Sequence, residues 1–181
     1  MLKKILLALV AIVVVFVGVV AMQPADYRVT RTTVLAAAPS DVFPHVNDFH
    51  RWEAWSPWAK LDPGMKVTYD GPPAGPGAVY TWTGNKDVDE GRMTLTDSRP
   101  GELVKIKLAF IKPFASMSAV DVALEPQGPA TKVTWTMSGQ NGFVEKAFCL
   151  FVSMDKMIGG DFEKGLAQLK AVVETGARTG R

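Results

Sequence analysis

ELVKIKLAFI, residues 102–111, decides the fold. Val104, Ile106, Leu108 and Phe110 fall on one side of the extended chain, and Lys105 and Lys107 on the other. Side chains alternate between the two faces of a strand, so this stretch predicts a β-strand with one buried face and one wet face. Such a strand belongs to an antiparallel sheet covered on one side only.

The same signal recurs on both sides of it. SAVDVALEPQGP (118–129) and TKVTWTMSG (131–139) follow. In the second, Val133, Trp135 and Met137 oppose Lys132, Thr134 and Thr136. Upstream lie KVTYDGPPAGPG (66–77), AVYTWTGN (78–85) and DEGRMTLTDSRPGE (89–102), each closed by Gly, Pro or Asn turn residues. DYRVTRTTVLAA (26–37) is a further β-branched strand. Six or seven strands joined by hairpin turns imply antiparallel pairing. Beyond Gly142 the period changes. Ile158, Phe162, Leu166, Leu169 and Val173 recur at helical spacing and form one apolar stripe. Gly159-Gly160 is expected to kink or divide this helix. The fold class is α+β: a curved antiparallel sheet whose apolar face is covered by a long C-terminal helix.

Between the first two strands, Pro39-Ser40-Asp41 opens a short helix with Val42, Phe43, Val46 and Phe49 on one face. WEAWSPWAK (52–60) follows, with a period near three, and predicts a tight helical turn ending near Pro57. It carries Trp52, Trp55 and Trp58, three of the five tryptophans. Core packing, contact with a membrane interface and the wall of an apolar pocket all compete to explain this density.

The N-terminus is of a different kind. Lys3 and Lys4 precede an uncharged apolar run from Ile5 to Met22. As a helix that run spans most of a hydrocarbon core of about 30 Å, and it exceeds the usual apolar region of a signal peptide. Residues 1–22 therefore read as a membrane anchor, with a cleaved signal as the alternative through Val19-Val20-Ala21. The positive-inside rule keeps the two lysines in the cytoplasm and sends the rest to the extracytoplasmic side, periplasmic in a bacterium. Residues 23–26 are a linker, 27–175 the folded domain and 176–181 a flexible tail. The chain has 20 basic and 18 acidic residues. Without Lys3 and Lys4 the two counts are equal, so the domain lacks the basic excess that nucleic acid requires.

Catalytic and metal motifs are missing. His45 and His50 are the two histidines, and no HxH, CxxC, HExxH, GxSxG or phosphate-binding glycine loop occurs. No catalytic residue, metal ligand or cofactor is assigned. Asp155 and Asp161 are weighed as buried acids against a surface or capping role, which is favoured. Cys149, in the apolar setting KAFCLFVSM, reads as a buried, inert thiol.

As a set, APSDVFPHVNDFHRWEAWSPW, YTWTGN with GRMTLTDSRP, KPF at 112–114, TKVTWTMSGQNGF and MDKMIGGDFEKGLAQLK resemble the START/Bet v 1-like (SRPBCC) superfamily. The likeness is to its bacterial polyketide cyclase/dehydrase-type proteins with an N-terminal membrane segment. The resemblance implies a helix-grip fold of seven strands around the C-terminal helix, with a hydrophobic cavity between them. It also implies apolar ligands such as lipids or polyketides. Its enzymatic members share no catalytic motif that carries over. The expected function is a membrane-tethered module that binds a hydrophobic small molecule. A cyclase/dehydrase-like enzyme and a partner-binding domain with a filled core are the alternatives. Trp82, Phe110, Trp135, Met137, Met154 and Phe162 are the expected cavity lining, and Trp55 and Trp58 the expected mouth.

Overall fold

The computed structural model describes residues 1–113 and 115–179. Phe114 of the KPF element and the last two residues of the expected tail lie outside the described residues. The chain runs α1 (Leu2–Met22), β1 (Asp26–Leu35), α2 (Pro39–Asn47), a 3₁₀ turn (Phe49–Ala54), β2 (Lys66–Asp70), β3 (Val79–Thr83), β4 (Glu90–Arg99), β5 (Leu103–Lys112), β6 (Ser116–Gln127), β7 (Ala130–Gln140), α3 (Phe143–Cys149) and α4 (Met154–Thr179).

The seven strands form one antiparallel sheet in the order β1-β7-β6-β5-β4-β3-β2. Hairpin connections order β2 to β7, while β1 returns to pair with β7. This register fixes the two ends of the sheet. Asp26 opposes Gln140, Ser116 opposes Phe110, Lys112 opposes Glu90, and Lys66 opposes Thr83. All of them lie at the end where α1 joins β1, here called the anchor end. Leu35, Ala130, Gln127, Leu103 and Arg99 mark the far end. β4 breaks register beside Gly91 and between Leu95 and Asp97, irregularities of the kind that bend a strand.

Alternation in 102–111 appears in space as predicted. Val104, Ile106 and Leu108 are buried on the inner face, and Lys105 and Lys107 are exposed. α4 lies across that face against β1 and places Phe162, Leu166, Leu169 and Val173 in the core. α2 caps the far end with Val42 and Val46, both fully buried.

The expected break at Gly159-Gly160 does not occur. α4 is continuous through both glycines, and the division of the C-terminal third falls at Leu150–Ser153, between α3 and α4. Gly159 serves close approach instead: a Cβ there would collide with the Arg31 guanidinium. Arg31 donates to Asp155 (2.7 Å) and Glu163 (2.7 Å), so β1 is clamped to the first turns of α4. The ion pairs raise the pKa of Arg31, and the hydrogen bond from Arg31 lowers that of Asp155.

Candidate functional site

The inner face of the sheet under α4 is aromatic. Trp135, from the middle of β7, stacks on Phe162 of α4 with ring centres 4.2 Å apart and planes at 11°. Trp55 meets Trp135 edge-on at 5.3 Å, and Trp52 meets both at 4.7 and 6.1 Å. Trp58 leans edge-on against Trp135 (5.9 Å) and Phe162 (6.2 Å). Each such pair adds about 0.5–1.5 kcal/mol beyond its burial. Gly165 makes the stack possible, because a Cβ there would sit 2.8 Å from Trp135 and 3.1 Å from Pro57.

The 3₁₀ turn is what delivers the indoles. Asp48 caps it by accepting from the His50 N–H. Trp52 then donates to the Val46 carbonyl (3.2 Å) and Trp55 to the His45 carbonyl (3.0 Å), so both N–H groups are spent on the end of α2. Trp55 is 1 % exposed. It is a central core residue and not the mouth residue expected from the sequence, because that hydrogen bond and the Trp135 contact pull it inward. Trp58 stays half-buried at the rim.

The other expected lining residues divide. Trp135, Met137 and Phe162 belong to one buried cluster. Trp82, on β3, belongs to the same cluster, and Phe110, on β5, packs against it, edge-on to Trp82 at 6.2 Å. Trp82 lies over Gly91, where a Cβ would strike its ring, and donates to the Val88 carbonyl (2.8 Å). Met154 is half-buried at the start of α4.

Closure of the interior is uneven. Along β5, exposure rises from 0 % at Val104 through 2 % at Ile106 to 9 % at Leu108, and Phe110 is half-buried. Along β7 it rises from 0 % at Val133 through 2 % at Trp135 to 5 % at Met137. Both gradients run toward the anchor end. Trp58, Met93, Met154 and Ile158 are likewise only half-buried.

Polar groups are few and placed. At the anchor end of the inner face, the Tyr27 hydroxyl lies 2.6 Å from the Ser118 hydroxyl. The phenol reaches across Gly139, where a Cβ would come within 2.8 Å of its oxygen. Burial pushes the Tyr27 pKa up against the opposing effect of that hydrogen bond, so the phenol stays neutral at physiological pH. In the centre, the Trp135 N–H is buried without an acceptor, a state that is costly for an indole.

Sequence reasoning missed Tyr27, Ser118 and Gly139. Strand register alone brings them together, and glycine leaves no apolar pattern to read. A separate cleft of about 210 Å³ lies at the far end, lined by residues that include Phe49, His50, Tyr69 and Pro72. There His50 stacks on Tyr69 at 4.0 Å. Asp155 and Asp161 lie outside the interior, paired with Arg31 and Lys164. Cys149 is half-buried rather than buried, since α3 stands at the surface.

A family model described as polyketide cyclase / dehydrase and lipid transport matches residues 26–174. The chain belongs to this family. Among curated proteins none matches. Solved structures share the fold at low identity. One is the protein of unknown function SA2116 from Staphylococcus aureus (TM-score 0.64, 12 % identity, 86 % of this chain and 98 % of that one). Another is the Aha1 dimer from Colwellia psychrerythraea (0.59, 14 %, 82 % and 96 %). A third is Ara h 8.0201 (0.59, 12 %, 83 % and 99 %). At these identities the likeness establishes the helix-grip architecture and nothing finer.

Proposed function

We propose that this family member holds a hydrophobic small molecule, a lipid or polyketide-like compound, between the sheet and α4, entering from the anchor end. The observation that carries this reading is the exposure gradient along β5 and β7. The interior is sealed by branched aliphatic residues at the far end, and at the anchor end it is covered only in part by the half-buried Trp58 and Phe110. Large, soft and aromatic side chains accept apolar ligands of varied shape. The Trp135–Phe162 stack, with Met137 beside it, forms the floor. The Tyr27–Ser118 hydroxyl pair is a polar point for a ligand's oxygen, and the Trp135 N–H is a second donor. Trp58 is the movable rim, its half-buried ring held by edge contacts to Trp135 and Phe162. Affinity would come from apolar burial, at about 25 cal/mol per Å².

The reading includes a retained anchor with the domain on the extracytoplasmic side. Val20, in the last turn of α1, is fully buried, and α1 packs against α3, contacts that a cleaved leader would forfeit.

Native mass spectrometry of the full chain released from membranes tests the binding. A retained apolar adduct is expected, lost in Phe110→Arg and weakened in Trp58→Ala. Uniformly ligand-free protein, with no change in tryptophan emission on titration with fatty acids, sterols or aromatic polyketides, would overturn it.

A further inference from the structure

α3 is an inverted helix. Its charged residues, Glu145 and Lys146, are half-buried, while Phe143, Val144 and Phe148 are about half exposed or more. Phe151, just beyond it, is 80 % exposed. The β5–β6 hairpin at the same end of the sheet adds Ile111 and Met117, the latter 62 % exposed. Among the described residues, ten large apolar side chains beyond α1 are exposed, and these six all lie at the anchor end. A soluble domain left free in water does not ordinarily gather its exposed phenylalanines on one surface.

The position of that surface names its occupant. α1 is 21 residues long, about 31 Å at 1.5 Å per residue, and so matches the hydrocarbon thickness of a bilayer. Its last turn, with Val20, therefore lies at the lipid–water boundary. α3 packs against α1. The linker cannot carry the domain away: the Ala25 carbonyl accepts from the Asn141 N–H (2.7 Å), and Asp26 accepts from the Gln140 side chain (3.0 Å). Both bonds join the linker to the residues that lead into α3. An exposed apolar helix held at that level meets acyl chains.

We infer that α3 and the β5–β6 hairpin form a second membrane contact, a foot whose phenylalanines enter the interfacial layer of the bilayer beside α1. Apolar faces of interfacial helices sit about 5–10 Å into the boundary between headgroups and acyl chains. The inference rests on the retained anchor and not on the interior holding a ligand.

The test uses the full chain in phosphatidylcholine/phosphatidylglycerol nanodiscs with Cys149→Ser as background. An environment-sensitive fluorophore is placed by Phe151→Cys, Met117→Cys, Glu102→Cys or Phe16→Cys. With lipids carrying a nitroxide high on the acyl chain, the probes at 151 and 117 should lose emission about twofold or more. The far-end probe at 102 should be unaffected. Raising the salt concentration should change nothing, because the contact is apolar. Phe148→Ser with Phe151→Ser, both at exposed positions, should relieve quenching at 117 without loss of secondary structure. A quenched probe at 16 beside unquenched probes at 151 and 117 overturns the foot and leaves the anchor standing. Shielding that needs two chains per disc and ignores the nitroxide assigns the face to a second copy, and also overturns it.

Discussion

The two halves of the interior are built from the same strands and the same helix, yet they are finished differently. At the far end Leu35, Val42, Val46, Val104, Leu124 and Val173 close the sheet against α2 and α4, all at 3 % exposure or less. At the anchor end Tyr27, Trp58, Met93 and Phe110 pack against the core, larger and less enclosed. Compact branched side chains fill a wedge well. Long or planar ones leave edges uncovered unless a further element closes over them. Here α2 is that element at the far end, and α3 faces outward at the other. One half is closed by its own side chains, and the other is the half in which the proposed ligand would sit.

Substitutions should separate the halves. The largest effect is expected from Trp135→Ala, at the boundary, which removes the partner of Trp52, Trp55, Trp58 and Phe162. A loss of about 3–5 kcal/mol is expected in urea unfolding. Phe110→Ala, in the open half, should cost clearly less, about 1–2 kcal/mol for a half-exposed ring. Equal losses would erase the distinction. Next comes overpacking. Gly165→Val pushes a side chain into Trp135 and Pro57 and should cost about 1–3 kcal/mol. Gly160→Ala, with nothing within 4 Å of the new methyl, should instead stabilise α4 by about 0.5–1 kcal/mol. A smaller change, about 1 kcal/mol, is expected for Tyr27→Phe, which frees the Ser118 hydroxyl. Its ligand affinity should fall as well if the pair contacts cargo, as titration calorimetry would show.

The smallest effect is a pH dependence assigned to the far half. Burial, aided by the charge of Arg51, lowers the pKa of His45 in the folded chain. Below the ordinary histidine pKa of about 6.5 the unfolded chain takes up a proton that the folded chain resists, so stability falls as pH falls. His45→Gln should flatten the part of the urea midpoint's pH profile that lies between the two pKa values. An unchanged slope between about pH 7.5 and about pH 5.5, one unit either side of that pKa, would remove His45 as the cause.

Much of the fold was legible in the chain. Alternation at 102–111 and 131–139, turn residues between strands, and the stripe from Ile158 to Val173 are local patterns, and each became the element it predicts. The tryptophan turn was legible as a tight helix, but the fate of its rings was not. Trp55 and Trp58 stand three residues apart in one motif, and only the partner carbonyl of His45 decides that one goes inside. Gly159-Gly160 misleads for a related reason. Glycine signals a break when nothing needs its missing side chain, and here Arg31 of a distant strand does. The apolar side chains of the interior were legible, and the polar ones were not, because Tyr27, Ser118 and Gly139 converge only through the register of β1, β7 and β6. The inverted surface of α3 escaped as well. In sequence FVEKAFC looks like any short amphipathic helix, and nothing in it says which side is turned to the protein.

The bond between Ala25 and Asn141 has a consequence for transport. With the anchor retained, the three residues between α1 and β1 give a reach of roughly 10 Å, and stitching them to the sheet shortens even that. A domain held in that way could not ferry the proposed cargo across an aqueous gap to an opposing membrane. On the proposed reading it would be a fixed berth, exchanging molecules with the leaflet it stands on or handing them to a carrier that comes to it.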